Sequence, residues 1–263
     1  MSIDTQWTSR QGGAGIMELQ GKTAFVSGGG KNIGKAIVLE LAAMGANVVI
    51  NGASDAAACE ATAEEARAHG VEALVQMGDV GDSTAVAAMA EAALARFEAV
   101  DILVNNAAVR PEKPFLDMTL DDWHSVLNID LNASFYTARL FLPAMVARGW
   151  GRIINFAGMN AIHGYKGRAP VSVSKHGVWG LTKSLAKEFG SAGVTTNTIS
   201  PGPIDTRHAD EEMNHHIQSM VGRVPVGRLG LPEEIAGLCG YLCGAKGGFA
   251  NGQLFAINGG AET

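Results

Sequence analysis

The residues best equipped for chemistry gather around Lys175, in the stretch Gly164-Tyr165-Lys166-Gly167-Arg168-Ala169-Pro170-Val171-Ser172-Val173-Ser174-Lys175-His176-Gly177. A lysine ammonium brings three N–H donors and a charge that burial readily perturbs. Just upstream lie Asn160, His163 and Tyr165. A phenol can hand over a proton, and an imidazole titrates near neutrality, so both suit general acid–base work. A second chemical signal is the glycine loop Gly28-Gly29-Gly30-Lys31-Asn32-Ile33-Gly34. Glycines let the backbone approach a pyrophosphate, and a helix opening there offers free N–H groups and the positive end of its dipole. Two further clusters promise less. His208, His215 and His216 fall on a lid-like segment, Arg207 to Arg223, where the adjacent pair must diverge. Cys239 and Cys243 share a helical face without an evident third ligand, so buried free thiols are expected and no metal.

The elements that position these groups alternate. Thr23–Ser27 reads as a short strand, the glycine loop follows, and a helix runs to about Met44 with Gly45 beyond its end. Val48–Asn51 is a second strand, followed by a helix capped by Ser54 that ends near Gly70. A third strand covers Val71–Met77, and Ser83 caps the next helix. Val100–Asn105 is a fourth strand. Thr119 and Asp122 form a variant capping box that opens one long helix through Met145. Arg152–Phe156, a helix over Ser172–Phe189, Val194–Ile199, a helix from Pro232 to about Cys243 and Leu254–Asn258 complete the series. Short apolar strands alternating with helices predict βαβ units and a single α/β domain: a doubly wound parallel sheet of about seven strands with helices on both faces. Ligands of such sheets sit beyond the carboxyl ends of the strands. The loops 28–34, 51–54, 79–82, 106–115, 157–170 and 200–225 therefore face the site. Residues 1–16 carry no periodicity and read as a flexible tail before a domain spanning 17–263.

Composition narrows the classes of function. Of 263 residues, 47% are apolar, enough for a sizeable core, and the net charge is −6 with no block of Lys or Arg. Nucleic-acid binding is not expected. Neither a membrane span nor a secretory h-region is found, and three cysteines are too few for a disulfide framework, so the expected compartment is the cytoplasm.

Ordered motifs now accumulate across residues 19–260, and together they resemble the short-chain dehydrogenase/reductase family. That resemblance implies a Rossmann fold binding NAD or NADP. The family loop TGxxxGxG appears as Ser27 to Gly34, with Asn32 in place of the middle glycine; Asn tolerates positive φ best after glycine. The family NNAG appears as Asn105-Asn106-Ala107-Ala108, and Asp79-Val80 resembles its adenine contact. Pro201-Gly202-Pro203-Ile204 with Thr206 resembles the loop that holds the nicotinamide amide. Arg228-Leu229-Gly230, Pro232–Ala236 and Asn258-Gly259-Gly260 match closing segments. The implied cofactor residues are Gly28, Gly30, Lys31, Asn32, Ile33, Gly34, Asn51, Asp79, Val80, Asn106, Ala107, Ala108, Lys175, Pro201, Gly202, Ile204 and Thr206. An acidic residue at the end of strand two would repel a 2′-phosphate. This chain has Asn51 there and Lys31 in the loop, which favours NADP(H) over NAD(H), although no arginine follows Asn51.

The same resemblance exposes a departure. The family's catalytic Asn, Ser, Tyr and Lys align with Asp130, Gly158, Val171 and Lys175, so only the lysine stands. Valine cannot donate a proton and glycine has no hydroxyl, which disfavours ketone reduction by the usual route. The lysine's ribose-binding role survives, and Asp130 can pair with it. Tyr165 is the expected replacement acid, in a substrate pocket formed with Gly158, Met159, Asn160, His163 and Val171. The peroxisomal 2,4-dienoyl-CoA reductases are similar in having an aspartate at the asparagine position, no tyrosine and a retained lysine; they reduce a conjugated double bond. The expectation is thus an NADP(H)-dependent oxidoreductase acting on a conjugated double bond or activated carbonyl of a small molecule through Lys175, Asp130 and Tyr165. A non-redox enzyme on the same scaffold (lyase, hydrolase or isomerase) and a non-catalytic nucleotide-binding protein remain the alternatives. The family further implies a homodimer or homotetramer.

Overall fold

A computed structural model describes residues 17–158, 160–206 and 211–262. The expected tail, Met159 and residues 207–210 of the expected lid lie outside these. The strands are β1 (Thr23–Val26), β2 (Asn47–Gly52), β3 (Ala73–Met77), β4 (Ile102–Asn105), β5 (Gly151–Phe156), β6 (Val194–Pro201) and β7 (Leu254–Ile257). The helices are α1 (Asn32–Ala43), α2 (Ala56–Arg67), α3 (Ser83–Phe97), α4 (Leu120–Leu127), α5 (Ala133–Arg148), α6 (Asn160–His163), α7 (Ala169–Phe189), α8 (Glu211–Ser219) and α9 (Pro232–Cys243). All pairings are parallel, and the sheet order is β3-β2-β1-β4-β5-β6-β7.

Strand side chains alternate between two cores, as a pleat with both faces covered requires. On β1, Ala24 and Val26 join one core while Phe25 joins the other; Ile102 and Val104 flank Leu103 on β4 in the same way. The first core is sealed by α1, α2 and α9 through Ile37, Leu41, Ala63, Ile235 and Cys239. The second is sealed by α3 and α5 through Val86, Met89, Phe141 and Met145, with Leu185 and Phe189 of α7 at its margin. Phe25 meets Phe141 with ring centroids 5.3 Å apart. Strand order reverses between β1 and β4, which opens a crevice at their carboxyl ends.

Three local expectations need correcting. The cap of α2 is Asp55, not Ser54: its carboxylate accepts from Ala58 N at 3.0 Å. Asp82 likewise replaces Ser83, accepting from Thr84 N at 2.8 Å. In both places an acid one residue away takes the first-turn N–H groups and the favourable end of the dipole. The single long helix from Leu120 is interrupted by a π-helical turn over Asn128–Asn132. The Thr119–Asp122 capping box forms as expected. Lys113 Nζ, 2.5 Å away, together with Thr119 holds the Asp122 carboxyl down at about 2.

Candidate active site

The glycine loop delivers a helix N-terminus to the crevice. Asn32 opens α1 at φ 49°, so it takes the left-handed turn that the missing glycine would have made. Lys31, at the N-cap, makes no side-chain cap, so its side chain does not cover the N-terminus of α1, the end that favours an anion. A Cβ on Gly34 would lie 2.0 Å from Gly28 O, so the loop closes only around glycine there. Ser27 Oγ accepts from the backbone N–H groups of Asn106 and Ala107 at 3.0 Å, and the Asn106 amide donates to Ser27 O and Gly28 O. The loop after β1 is thereby stitched to the turn after β4. The resulting cleft, about 330 Å³, is lined by Gly28, Lys31 to Gly34, Asn51, Asp79, Val80, Asn106 to Arg110 and Thr206.

A second cavity of about 400 Å³ shares Ile33, Asn106, Ala108, Arg110 and Thr206 with the first and continues to Gly158, Val171 and Lys175. Pro201 to Ile204 form one wall, and Ile217 and Met220 approach from the α8 side. The π turn presents Asp130, 3% exposed, whose Oδ1 accepts from Val109 N at 2.8 Å. Lys175, also 3% exposed, donates to Phe156 O at 3.2 Å and faces Asp130 Oδ2 at 3.3 Å. That contact is ionic rather than a well-aligned hydrogen bond, and Oδ2 is left without a donor. Burial pulls the Lys175 pKa below its ordinary value; Asp130 opposes the shift and Arg110 adds to it. A buried polar chain braces the strand ends behind the pair. Thr137 Oγ1 donates to Asn105 Oδ1, Asn105 to Asn155, and Asn155 to Thr182, which bonds Thr198.

A family model described as Enoyl-(Acyl carrier protein) reductase matches residues 28–262. The chain is 37% identical over 244 residues to the 3-oxoacyl-[acyl-carrier-protein] reductase FabG of Pseudomonas aeruginosa, covering 93% of this chain and 98% of that one. It is 35% identical over 239 residues to the acetoacetyl-CoA reductase of Cupriavidus necator, covering 91% and 97%. The chain belongs to the short-chain dehydrogenase/reductase family. Among solved structures, a Serratia marcescens short-chain dehydrogenase/reductase mutant superposes with TM-score 0.85 at 35% identity, covering 94% of this chain and all of that one. A putative NAD(P)-dependent gluconate 5-dehydrogenase from Beutenbergia cavernae with bound NADP gives 0.84 at 35% identity, covering 94% and 99%. The chain is therefore an oxidoreductase homologue on a Rossmann fold.

Most residues picked from the short-chain dehydrogenase/reductase motifs converge on the two cavities, but several do not behave as expected. Gly30 is absent from the cleft lining: a Cβ there would meet Cys59 Sγ at 2.9 Å, so this glycine lets α2 close on the loop. Asn51 borders the cleft, but its amide is already committed to Gln76 O and Gly78 O. Lys31 Nζ pairs with Asp55 Oδ2 at 2.5 Å, an acidic neighbour overlooked in the sequence. Asp130 stands behind Lys175 and does not line the cavity, which makes it a positioning residue rather than a proton donor to substrate. Tyr165, the expected acid, is 42% exposed with the Arg168 guanidinium stacked 4.6 Å above its ring, and it does not line the cavity. His163 lies 3.6 Å from Glu262, exposed and also outside the lining. Both precede α7, which begins at Ala169, and both are exposed. Asn160 opens α6, and Met159 is outside the described residues. In their stead stand two residues the sequence reading passed over, Arg110 and Arg168.

Proposed function

We propose that the chain is an NADP(H)-dependent reductase whose lysine works without the tyrosine and serine of the family. The observation that carries this reading is the buried Lys175–Asp130 pair at the wall of a cavity continuous with the glycine-loop cleft. The donor set fits a dinucleotide: a helix N-terminus for the pyrophosphate, Asp79 and Val80 at the adenine end, and Pro201 to Thr206 with Lys175 at the nicotinamide end. When bound, the dinucleotide supplies the hydride. Among its three protons, the Lys175 ammonium spends one on Phe156 O and turns another toward Asp130. The third can meet an oxygen in the cavity, either a ribose hydroxyl or the carbonyl oxygen of a conjugated substrate. Hydride addition to the β-carbon of an enone moves charge onto that oxygen, where a nearby cation stabilises it. Solvent in the open cleft then protonates the enolate carbon, so no phenol is required.

The relatives' names favour a second reading, reduction of a 3-oxoacyl ketone. The two separate in one experiment. Purified protein is titrated with NADPH and NADH, then assayed with the preferred cofactor against matched enones and 3-oxo esters. Micromolar NADPH binding with turnover of enones alone is the expected result. Turnover of 3-oxo esters alone would support the second reading, and binding of neither nucleotide would reject both.

Cofactor preference carries its own prediction. Asp55 both caps α2 and occupies the Lys31 ammonium. Asn caps a helix about as well as Asp, so Asp55→Asn retains the cap and frees the lysine. NADPH affinity is expected to rise several-fold at low salt with NADH unchanged, whereas Lys31→Ala lowers NADPH affinity about tenfold. Parallel fluorescence titrations check this, and equal effects on the two nucleotides would refute it. We further propose a homodimer or homotetramer built on α5 and α7, where Phe135, Leu142, Leu181 and Phe189 line an apolar cleft. Light scattering that returns a monomer mass would reject it.

A further inference from the structure

Arg110 follows β4 and Arg168 precedes α7, yet they line one cavity. Their loops are tied together: Lys113 N donates to Gly167 O at 2.8 Å, and Arg168 Nη2 reaches Glu112 Oε2 at 3.2 Å. The Arg168 guanidinium, 15% exposed, sits 4.6 Å over the Tyr165 ring, and its buried Nε has no hydrogen-bond partner among the described residues. Arg110 stands in the open mouth of the cleft and makes no hydrogen bond or ion pair among the described residues. Arg168 repels its charge and Asp130 attracts it. Among the described residues that line this cavity, the charged side chains are Arg110, Arg168 and Lys175, all cationic; Glu112 meets Arg168 and Asp130 meets Lys175 from outside the lining.

Building on the reductase reading above, we propose that Arg110 and Arg168 form an anion subsite that anchors a carboxylate on the substrate. Guanidinium forks match the planar, two-oxygen geometry of a carboxylate, and a lining whose charged described side chains are all cationic attracts an anion. It would also relieve the repulsion between the two arginines. The substrate class is then a small unsaturated or oxo acid, held by its carboxylate while Lys175 addresses the reacting end.

The test uses the full chain and three probes of similar shape, namely benzoate, benzamide and phenyl phosphate, titrated by calorimetry with and without saturating NADPH. Benzoate is expected to bind at least tenfold tighter than benzamide and to weaken steeply with salt. Arg110→Met and Arg168→Met are each expected to weaken benzoate at least tenfold without changing benzamide. Arg168→Lys should recover part of the loss, since it restores charge without the fork. Equal binding of benzoate and benzamide, or arginine variants that bind benzoate like the parent, would overturn the proposal. So would a tenfold preference for phenyl phosphate, which would make the site one for phosphate. An Arg110→Met variant that loses NADPH affinity as steeply as benzoate affinity would reassign that guanidinium to the cofactor and overturn the pairing. Failure of NADPH to bind would reject the reductase reading, while the benzoate titration without nucleotide would still decide the anion subsite.

Discussion

Replacing Lys175 with methionine is expected to destabilise the fold by about 3–5 kcal/mol and to eliminate NADPH-dependent turnover, because it strands a buried carboxylate. Asp130 keeps the Val109 N–H on Oδ1, but Oδ2 loses the ammonium 3.3 Å away, its ion-pair partner among the described residues. Asp130→Asn is costly for the mirror-image reason, since the ammonium then keeps only Phe156 O. The double variant Asp130→Asn/Lys175→Met removes both charges and should recover most of the stability. Urea unfolding of all four proteins measures the coupling, and strictly additive losses would show that the pair does not act as a unit.

The same pair predicts opposite shifts in the pH profile. Lys175 carries a pKa lowered by desolvation first, raised in part by Asp130 and lowered further by Arg110. Turnover that needs the ammonium is present below this depressed pKa and fades as pH rises through it. Asp130→Asn should move that alkaline limb to lower pH, and Arg110→Met should move it to higher pH. Stability follows the reverse sign. Between the folded pKa and the ordinary 10.5, the unfolded chain binds more protons, so this lysine's contribution to stability grows with rising pH.

The fold was readable because both periodicities are strong. Strands such as Ala24-Phe25-Val26 are short, apolar and bounded by glycines, and the helical stretches between them carry regular apolar faces. Even the substitution at Asn32 was legible, since few residues besides glycine accept φ 49°. The π turn at Asn128–Asn132 was not, because one extra residue in a helical turn leaves hydrophobic spacing almost unchanged. The arginine pair escaped for a different reason. Arg110 and Arg168 are far apart in sequence, and neither belongs to a run of basic residues. Only the contacts between the 112–113 and 167–168 backbones and side chains bring the two guanidiniums into one cavity. Tyr165 shows the converse, where a residue of the right chemical type lies in the loop before α7 and is 42% exposed, which its type and spacing do not reveal.

Val171→Tyr is the substitution expected to change the chemistry most. Val171 and Lys175 are four residues apart on α7, hence on one helical face, and both line the cavity. A phenol at position 171 would therefore extend into about 400 Å³ of open space beside the ammonium. Its packing penalty should be about 1–3 kcal/mol, since Val171 is only 1% exposed. In return a positioned acid contributes on the order of 10²–10⁴ in rate, so NADPH-dependent reduction of ethyl acetoacetate should rise by at least about 100-fold. Gly158→Ser should not achieve this alone. A Cβ there meets nothing within 4 Å, but the backbone sits at φ 126°, which strains any L-residue by about 1–3 kcal/mol. A folded Val171→Tyr protein that binds NADPH yet gains no ketone reduction would count against the proposal that a phenol at this position sets the chemistry. The limit would then lie with the Asp130-held lysine or with an anion requirement that ethyl acetoacetate, a neutral ester, cannot meet. Assaying acetoacetate beside its ester separates those two causes, because only the free acid can engage the arginine pair.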